Sequence, residues 1–409
     1  MVKQDVDVLV VGAGIFGLTM AERLATQLGK KVLVIDSRDH IGGNAYSYFD
    51  EATGIEVHQY GAHLFHTDDK TVWRYVNQFT KFTDNRHRVY TTHRRDGADR
   101  AEVFPLPVNL GTINQFFHAA YTPEEAKAFI ARQAQDNPAA KASREPANLV
   151  EQGISLIGKP LFDAFIKNYT AKQWNIPAEK LPASVIKRLP VRYNYNNRYF
   201  DSAYEGLPID GYGRLFDNMV ARANQGKGAV EIRLSTNFFD DPDIAKLRGN
   251  VAVLIYTGPL DQFYGYQFGA LSWRSLRLEK EIVNVHDFQG CPVMNYADLE
   301  PKYTRIHEFK HFNEERALDP ARWPGYAPDF AKTVIMREYS LDWQPGEEPY
   351  YPVHSSDDDE KLAKYQALAK RDRARNIYIG GRLGEYAYFD MDKTFASALN
   401  LFKEIKEKA

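Results

Sequence analysis

The chain has 409 residues, 44% hydrophobic and 26% charged, the proportions of an ordinary globular protein with material for two or three domains of roughly 100–200 residues each. Its 54 acidic and 52 basic residues leave a net charge of -2, which argues against a general polyanion or nucleic-acid binder but leaves room for a local basic pocket. A single cysteine, Cys291, excludes an intramolecular disulfide and a cysteine-rich zinc site, and fits a reducing, cytoplasmic setting.

In chain order, Val8–Val11 is a short apolar run, as in a strand buried on both faces. The segment from Val6 carries Asp7 and runs straight into glycines, so it reads as a strand and not a signal peptide, and no apolar run has the length of a membrane span. Gly12-Ala13-Gly14-Ile15-Phe16-Gly17 follows, then a helix from about Phe16 to Leu28 and a second strand, Lys31 to Ile35, ending at Asp36. From about Phe79 to Arg192 the texture is mainly helical; Thr122-Pro123-Glu124-Glu125 reads as a capped helix start, and helical patterns recur at Asn148–Ile157 and Lys159–Tyr169. A helix is expected over Asp210–Ala223 and a buried strand over Val251–Tyr256. Gly269 to Tyr339 alternates and is rich in aromatics, as in antiparallel sheet. Ile377–Ile379, Gly380-Gly381 and a helix from Asp392 to Ile405 repeat the opening unit.

These textures predict an α/β chain: a Rossmann-like domain assembled from discontinuous segments, with an inserted helical domain and an antiparallel β-sheet domain. The expected boundaries are 1–80, 204–265 and 355–409 for the first, 81–187 for the helical domain, and 188–203 with 266–354 for the sheet domain.

Gly12, Gly14 and Gly17 form G-x-G-x-x-G between a strand and a helix. Gly12 permits the tight turn, Gly14 lets a pyrophosphate approach the backbone, and Gly17 lets helix pack on strand, so phosphates meet the positive helix end. Asp36 closes the next strand, where a carboxylate can accept ribose hydroxyls. Together they point to a bound dinucleotide. Arg38-Asp39-His40-Ile41-Gly42-Gly43, with Asn44 after it, resembles the FAD signature of amine-oxidase-like flavoproteins, and the C-terminal strand–glycine–helix unit is placed to bring a second helix end to the flavin.

Further blocks narrow the resemblance. They are Gly61-Ala62-His63-Leu64-Phe65-His66, Tyr169-Thr170-Ala171-Lys172-Gln173-Trp174, Ile186-Lys187-Arg188-Leu189-Pro190-Val191-Arg192 and Tyr303-Thr304-Arg305-Ile306-His307-Glu308. Glu348-Pro349-Tyr350-Tyr351-Pro352-Val353 and the run from Gly381 and Arg382 through Tyr388, Asp390 and Met391 complete the set. In this order the chain resembles the bacterial UDP-galactopyranose mutases over essentially its whole length. The resemblance implies FAD, active when reduced, and interconversion of UDP-galactopyranose and UDP-galactofuranose for surface polysaccharides. It implies a route in which reduced flavin N5 attacks galactose C1, UDP leaves, and the ring opens through an iminium and recloses. It implies UDP-galactose and UDP as ligands and a homo-oligomer.

By the same resemblance, Arg188 lies on a mobile loop near 188–199 and closes over the diphosphate, with Arg305 opposite. Arg274, Arg382, Tyr199, Tyr351 and Tyr388 are further candidates for that group. Phe165 and Tyr169, four apart on an expected helix and so on one face, resemble a uracil sandwich, with Trp174 near the loop. His63 matches a histidine beside the flavin, Asp390 a residue near flavin and substrate. Gly381, Arg382 and Met391 belong to the cofactor set with Phe16 and Arg38. The stretch Arg94–Ala101 looks like an enlarged polar loop near the uridine edge.

His307-Glu308-Phe309-Lys310-His311 matches the zinc-protease pattern H-E-x-x-H, which needs a helix. The surrounding alternation predicts a strand, on which the histidines would lie about 13 Å apart, too far to share a zinc; no metal site is expected. An amine-oxidase-like oxidoreductase is the main rival reading, and it explains the glycine motifs but not the arginine and tyrosine blocks; a non-catalytic flavin or nucleotide-sugar binding module is a second, which would bind UDP-galactose yet give no furanose product after reduction.

Overall fold

A computed structural model of the chain describes residues 6–135, 137–142, 144–186, 190–314, 316 and 331–408. Five parallel strands form one sheet in the order Ile377–Ile379, Val253–Tyr256, Val8–Val11, Lys31–Ile35, Ala229–Arg233. The central strand is buried through Val8, Leu9 and Val10, as its unbroken apolar run predicts. The helix Ile15–Leu28 crosses between the first two strands and packs against helices Gly211–Ala223 and Met391–Lys408. One sheet thus gathers strands from three distant parts of the chain, which is the discontinuous Rossmann-like assembly expected.

A second sheet has seven strands, in the order Tyr351–Pro352, Trp273–Val283, Thr333–Asp342, Arg305–Glu308, Val293–Tyr296, Val89–His93, Glu102–Leu106. It is antiparallel except where Val293–Tyr296 runs parallel to Val89–His93. The last two strands correct the expected start of the helical domain at residue 81. Their short V-Y-T-T-H and E-V-F-P-L runs flank the charged Arg94–Ala101 connection and read as loop in isolation. Pro105 is tolerated because its strand is the sheet edge. Among the described residues, 190–203 adds no strand to this sheet; it makes only isolated bridges, Arg88 with Arg198 and Asn109 with Arg192.

The helical part has its own core, with Phe104, Leu110, Ile113, Ile130, Leu149, Ile157, Leu161, Phe162 and Phe165 buried together. Helix Pro123–Ala134 carries the expected capping box: Glu125 N donates to Thr122 Oγ1, and Glu125 Oε2 accepts from Thr122 N at 2.8 Å. Helix Leu149–Phe162 breaks at Gly158, where φ is +75° and a Cβ would lie 2.6 Å from Gln133 Cβ. A π-helical turn, Asp163–Lys167, then leads into helix Asn168–Trp174. No helix among the described residues is long and apolar enough to cross a membrane.

Candidate active site

The glycine-rich segment builds a cleft at the carboxyl ends of the five-stranded sheet. It is lined by Gly12, Gly14, Phe16, Asp36, Arg38, Gly42, Gly43, Asn44, His63, Gly381, Arg382 and Met391. Gly12 sits at φ +105°, and a Cβ there would lie 1.9 Å from Thr257 Oγ1. Gly17 stands behind the cleft, where a Cβ would meet the Gly12 carbonyl at 1.9 Å, so this glycine serves the helix–strand contact. Gly14 and Gly43 pass so closely that a Cβ on Gly43 would be 2.9 Å from Gly14 Cα. The helix that follows has no side-chain cap at Gly14, and its first N–H groups open on the cleft, the arrangement that receives a phosphate.

Asp36 accepts from Ala13 N at 2.7 Å on one oxygen and from Arg38 N at 2.9 Å on the other. Each oxygen keeps a lone pair for a ribose hydroxyl. Arg38 donates to Asn44 Oδ1 and Glu348 Oε2, both at 2.7 Å, which ties the second glycine pair to the sheet domain. These residues fit an adenine dinucleotide with its diphosphate on the helix end. Thr236–Phe239, Thr257–Pro259, Tyr266 and Glu347–Pro349 also line the cleft. They follow strand ends far apart in sequence, and no periodicity marks them.

At one end of the cleft, Arg382 meets a cationic and phenolic cluster. Its guanidinium lies 5.5 Å from the Tyr351 ring centroid and 5.8 Å from that of Tyr388, and these rings stack at 5.3 Å. Arg382 also donates to the carbonyl of Phe389. Arg305 reaches the cluster from the neighbouring sheet, 6.0 Å from the Tyr169 ring and 3.2 Å from Glu338 Oε1. Cross-strand register places Arg305 directly opposite Glu338, whose other oxygen lies 3.1 Å from His307 Nε2. Burial alone would raise the Glu338 pKa, but Arg305 and His307 hold it down to about 2. Burial alone would lower Arg305, but Glu338 and the phenols of Tyr169, Tyr199 and Tyr351 raise it. Burial raises Tyr169 and Tyr351, so both keep their protons as donors. Tyr199 and Tyr388 are exposed.

The other candidates fall in different places. Arg188 lies outside the described residues. Phe165 turns into the helical core against His93, Phe104 and Phe116, while Tyr169 faces Arg305. The π-helical turn between them changes the spacing on which a shared α-helical face depends. Arg274 is buried and engaged internally, donating to Asp342, to Ser340 Oγ at 3.0 Å and to the Gln173 carbonyl. Trp174 packs half-buried on the helical core at the end of Tyr169's helix. The exposed Asp390 carboxylate lies 4.0 Å from His66, and its carbonyl accepts from Thr394 N at the start of the last helix.

His63 lines the cofactor cleft. Its Nδ1–H donates to the Gly61 carbonyl at 2.8 Å, which leaves Nε2 as the acceptor. His63 N donates to His58 Nδ1 at 3.0 Å. The strand expected through His311 ends at Glu308, and Phe309–Phe312 forms a 3-10 turn. His307 therefore serves Glu338, whereas His311 sits beside Asp287 and Glu314.

A family model described as UDP-galactopyranose mutase matches residues 164–388, and one described as an NAD(P)-binding Rossmann-like domain matches residues 10–79. A probable UDP-galactopyranose mutase of Klebsiella pneumoniae is 40% identical over 398 residues, covering 97% of this chain and 94% of that protein. The chain belongs to the UDP-galactopyranose mutase family. A dTDP-fucopyranose mutase of Escherichia coli is 37% identical, with 96% of each chain covered. The crystal structure of a reduced UDP-galactopyranose mutase has a TM-score of 0.70 at 17% identity over 100% of this chain and 95% of that one, which shows the shared fold. Membership makes the protein an isomerase with FAD as its cofactor, and the glycine cradle, the uncapped helix end and the Asp36 carboxylate suit that group.

Two buried histidines, His58 and His87, and the half-buried His63 make the fold acid-sensitive. Desolvation lowers His58 to about 4 and both His63 and His87 to about 3. Unfolded, each titrates near 6.5, so between these values the unfolded chain binds more protons than the folded one. The stability they allow is present above about pH 6.5 and is lost as the pH falls toward 3. Melting temperature measured calorimetrically should decline steadily from about pH 6.5 to about pH 4.5; an unchanged value across that window would contradict the buried neutral imidazoles.

Proposed function

We propose that the protein interconverts UDP-galactopyranose and UDP-galactofuranose with reduced FAD. The observation that carries this is the cluster of cations and phenols at the end of the flavin cleft. Two arginines, Arg305 and Arg382, face a shared set of phenols against one buried carboxylate, Glu338. That excess of positive charge and hydroxyl donors suits a diphosphate.

The reaction is redox-neutral: the bond from C1 to the diphosphate breaks, the sugar recloses through O4 in place of O5, and the bond from C1 to the diphosphate forms again. When bound, reduced FAD supplies a nucleophilic nitrogen for C1. The chain's residues do the remaining work. Arg305 and Arg382 stabilise the negative charge that develops on the departing diphosphate. Glu338 takes one side of the Arg305 guanidinium and leaves the rest of its donors for the ligand. Tyr169, Tyr351, Tyr199 and Tyr388 donate hydrogen bonds and screen the diphosphate from water. His63, neutral at physiological pH, offers Nε2 as an acceptor beside the flavin. Arg188 is proposed as a third arginine for the diphosphate, with Asp390 near the flavin and the sugar. We place the protein in the cytoplasm, in keeping with its lone, buried cysteine.

A second reading follows from the Escherichia coli relative, whose name makes dTDP-fucopyranose its substrate. The deciding experiment reduces the purified protein with dithionite without oxygen, then supplies UDP-galactofuranose and dTDP-fucofuranose separately. UDP-galactopyranose formed only after reduction supports the first reading. Turnover of the deoxythymidine sugar alone supports the second. Neither product, from a folded FAD-loaded protein, would leave the oxidase alternative, to be tested by oxygen uptake with amines.

Arg305→Ala should lower kcat on the order of 100-fold, as when a donor to developing charge is lost; a near-normal rate would remove Arg305 from the diphosphate. Tyr169→Ala should weaken UDP binding and leave the flavin spectrum intact.

A further inference from the structure

One half-buried cation near the site spends all its hydrogen bonds on backbone. Lys172 Nζ, on the helix Asn168–Trp174, donates to the carbonyls of Tyr296, Pro301 and Tyr303 at 2.8, 2.9 and 3.1 Å. An ammonium has three protons, and each finds an acceptor here. The three carbonyls belong to the connection between strands Val293–Tyr296 and Arg305–Glu308, and the last stands two residues before Arg305. That connection is itself closed by Tyr296 N on the Thr304 carbonyl at 2.9 Å and by Thr304 N on the Glu338 carbonyl at 2.8 Å. The next helical residue supplies the reverse bond: the Gln173 carbonyl accepts from Arg274 at 3.3 Å and from Ser340 Oγ. Helix and sheet are clamped through adjacent residues, one donating and one accepting. Tyr169 sits one turn earlier on the same helix, 6.0 Å from the Arg305 guanidinium.

We infer that Lys172 is a positioning residue for nucleotide-sugar binding, holding the Tyr169 helix against the connection that carries Arg305. The inference rests on the diphosphate pocket proposed above. Lysine suits the place because a compact ammonium can point three donors at carbonyls converging on one atom, whereas a planar guanidinium cannot. Burial, the largest influence, lowers the Lys172 pKa to about 8; Asp298 and Glu300 oppose that effect and Lys302 adds to it. The clamp is therefore charged at neutral pH and loses a proton, and with it one donor, as the pH rises through 8. Tyr169 and Tyr351 are raised and keep their protons over that range.

UDP affinity, measured calorimetrically on the FAD-loaded protein at neutral pH, should fall on the order of tenfold in Lys172→Met with the flavin spectrum unchanged. In the unaltered protein the affinity should fall several-fold between about pH 7 and about pH 9. That fall should be absent in Lys172→Met, already weak, and in Lys172→Arg, whose charge persists. Equal affinity in Lys172→Met and the unaltered protein, or a flat profile in the unaltered protein, overturns the inference. Should the methionine variant not yield folded, flavin-loaded protein, the other two profiles decide it. Tyr169→Ala separates the two layers. Unchanged UDP affinity in that variant would overturn the pocket itself. Weakened affinity there beside normal affinity in Lys172→Met would overturn the role of Lys172 alone.

Discussion

The ion pair between Arg305 and Glu338 is the constraint around which the substrate side of this protein is arranged. A buried guanidinium is costly unless paired, and a buried carboxylate is costly unless its lone pairs are used. Both conditions are met by register. Adjacent antiparallel strands place Arg305 opposite Glu338, and His307, two residues along, reaches the second carboxylate oxygen. A slip of one residue would turn Arg305 to the other face of the sheet and leave Glu338 unpaired. The connection before Arg305, the Lys172 bonds and the Arg274–Asp342 pair all hold that register. The sheet is in this sense a device for presenting one half-neutralised cation.

The two ends of the site are built by different physics. The cofactor cleft is a backbone structure: glycines remove Cβ atoms where chains approach, and a bare helix end supplies donors. Asp36 and Arg38 add charged side chains beside the glycines, and both are fixed by short bonds to nearby residues. The sugar end is a side-chain structure, assembled from Tyr169 on a helix, Arg305 and Tyr351 on strands, and Arg382 on the glycine turn that closes the first sheet. Such a group tolerates no loose member, because each phenol and cation is positioned by another.

This difference decided what could be read in the sequence. Gly12, Gly14, Gly17 and Asp36 lie within 25 residues of one another and act through local turns, so their spacing carried their roles. Thr122 and Glu125 likewise announced a helix start that the structure contains. Strands Val89–His93 and Glu102–Leu106 did not stand out, because five residues beside a charged loop make a weak period. Phe165 and Tyr169 were read on one α-helical face, and a π-helical turn that no spacing predicts redirected Phe165 into the core. Arg274 looked like a ligand arginine until its partners, 66 to 101 positions away, occupied it. Lys172 stood inside a recognised block with no assigned role, since its acceptors are carbonyls, which have no sequence signature.

The first sheet has a consequence for biosynthesis. Its central strand is complete by Val11, yet one of its outer strands is Ile377–Ile379, and the flavin cleft also needs Arg382, Met391 and Thr394. The nascent chain must carry an unfinished sheet, with its apolar face uncovered by the last helix, through the synthesis of more than 350 intervening residues. The helical segment, whose core lies almost wholly between Phe104 and Ile186, can fold as soon as it emerges. FAD capture is thus confined to the end of translation.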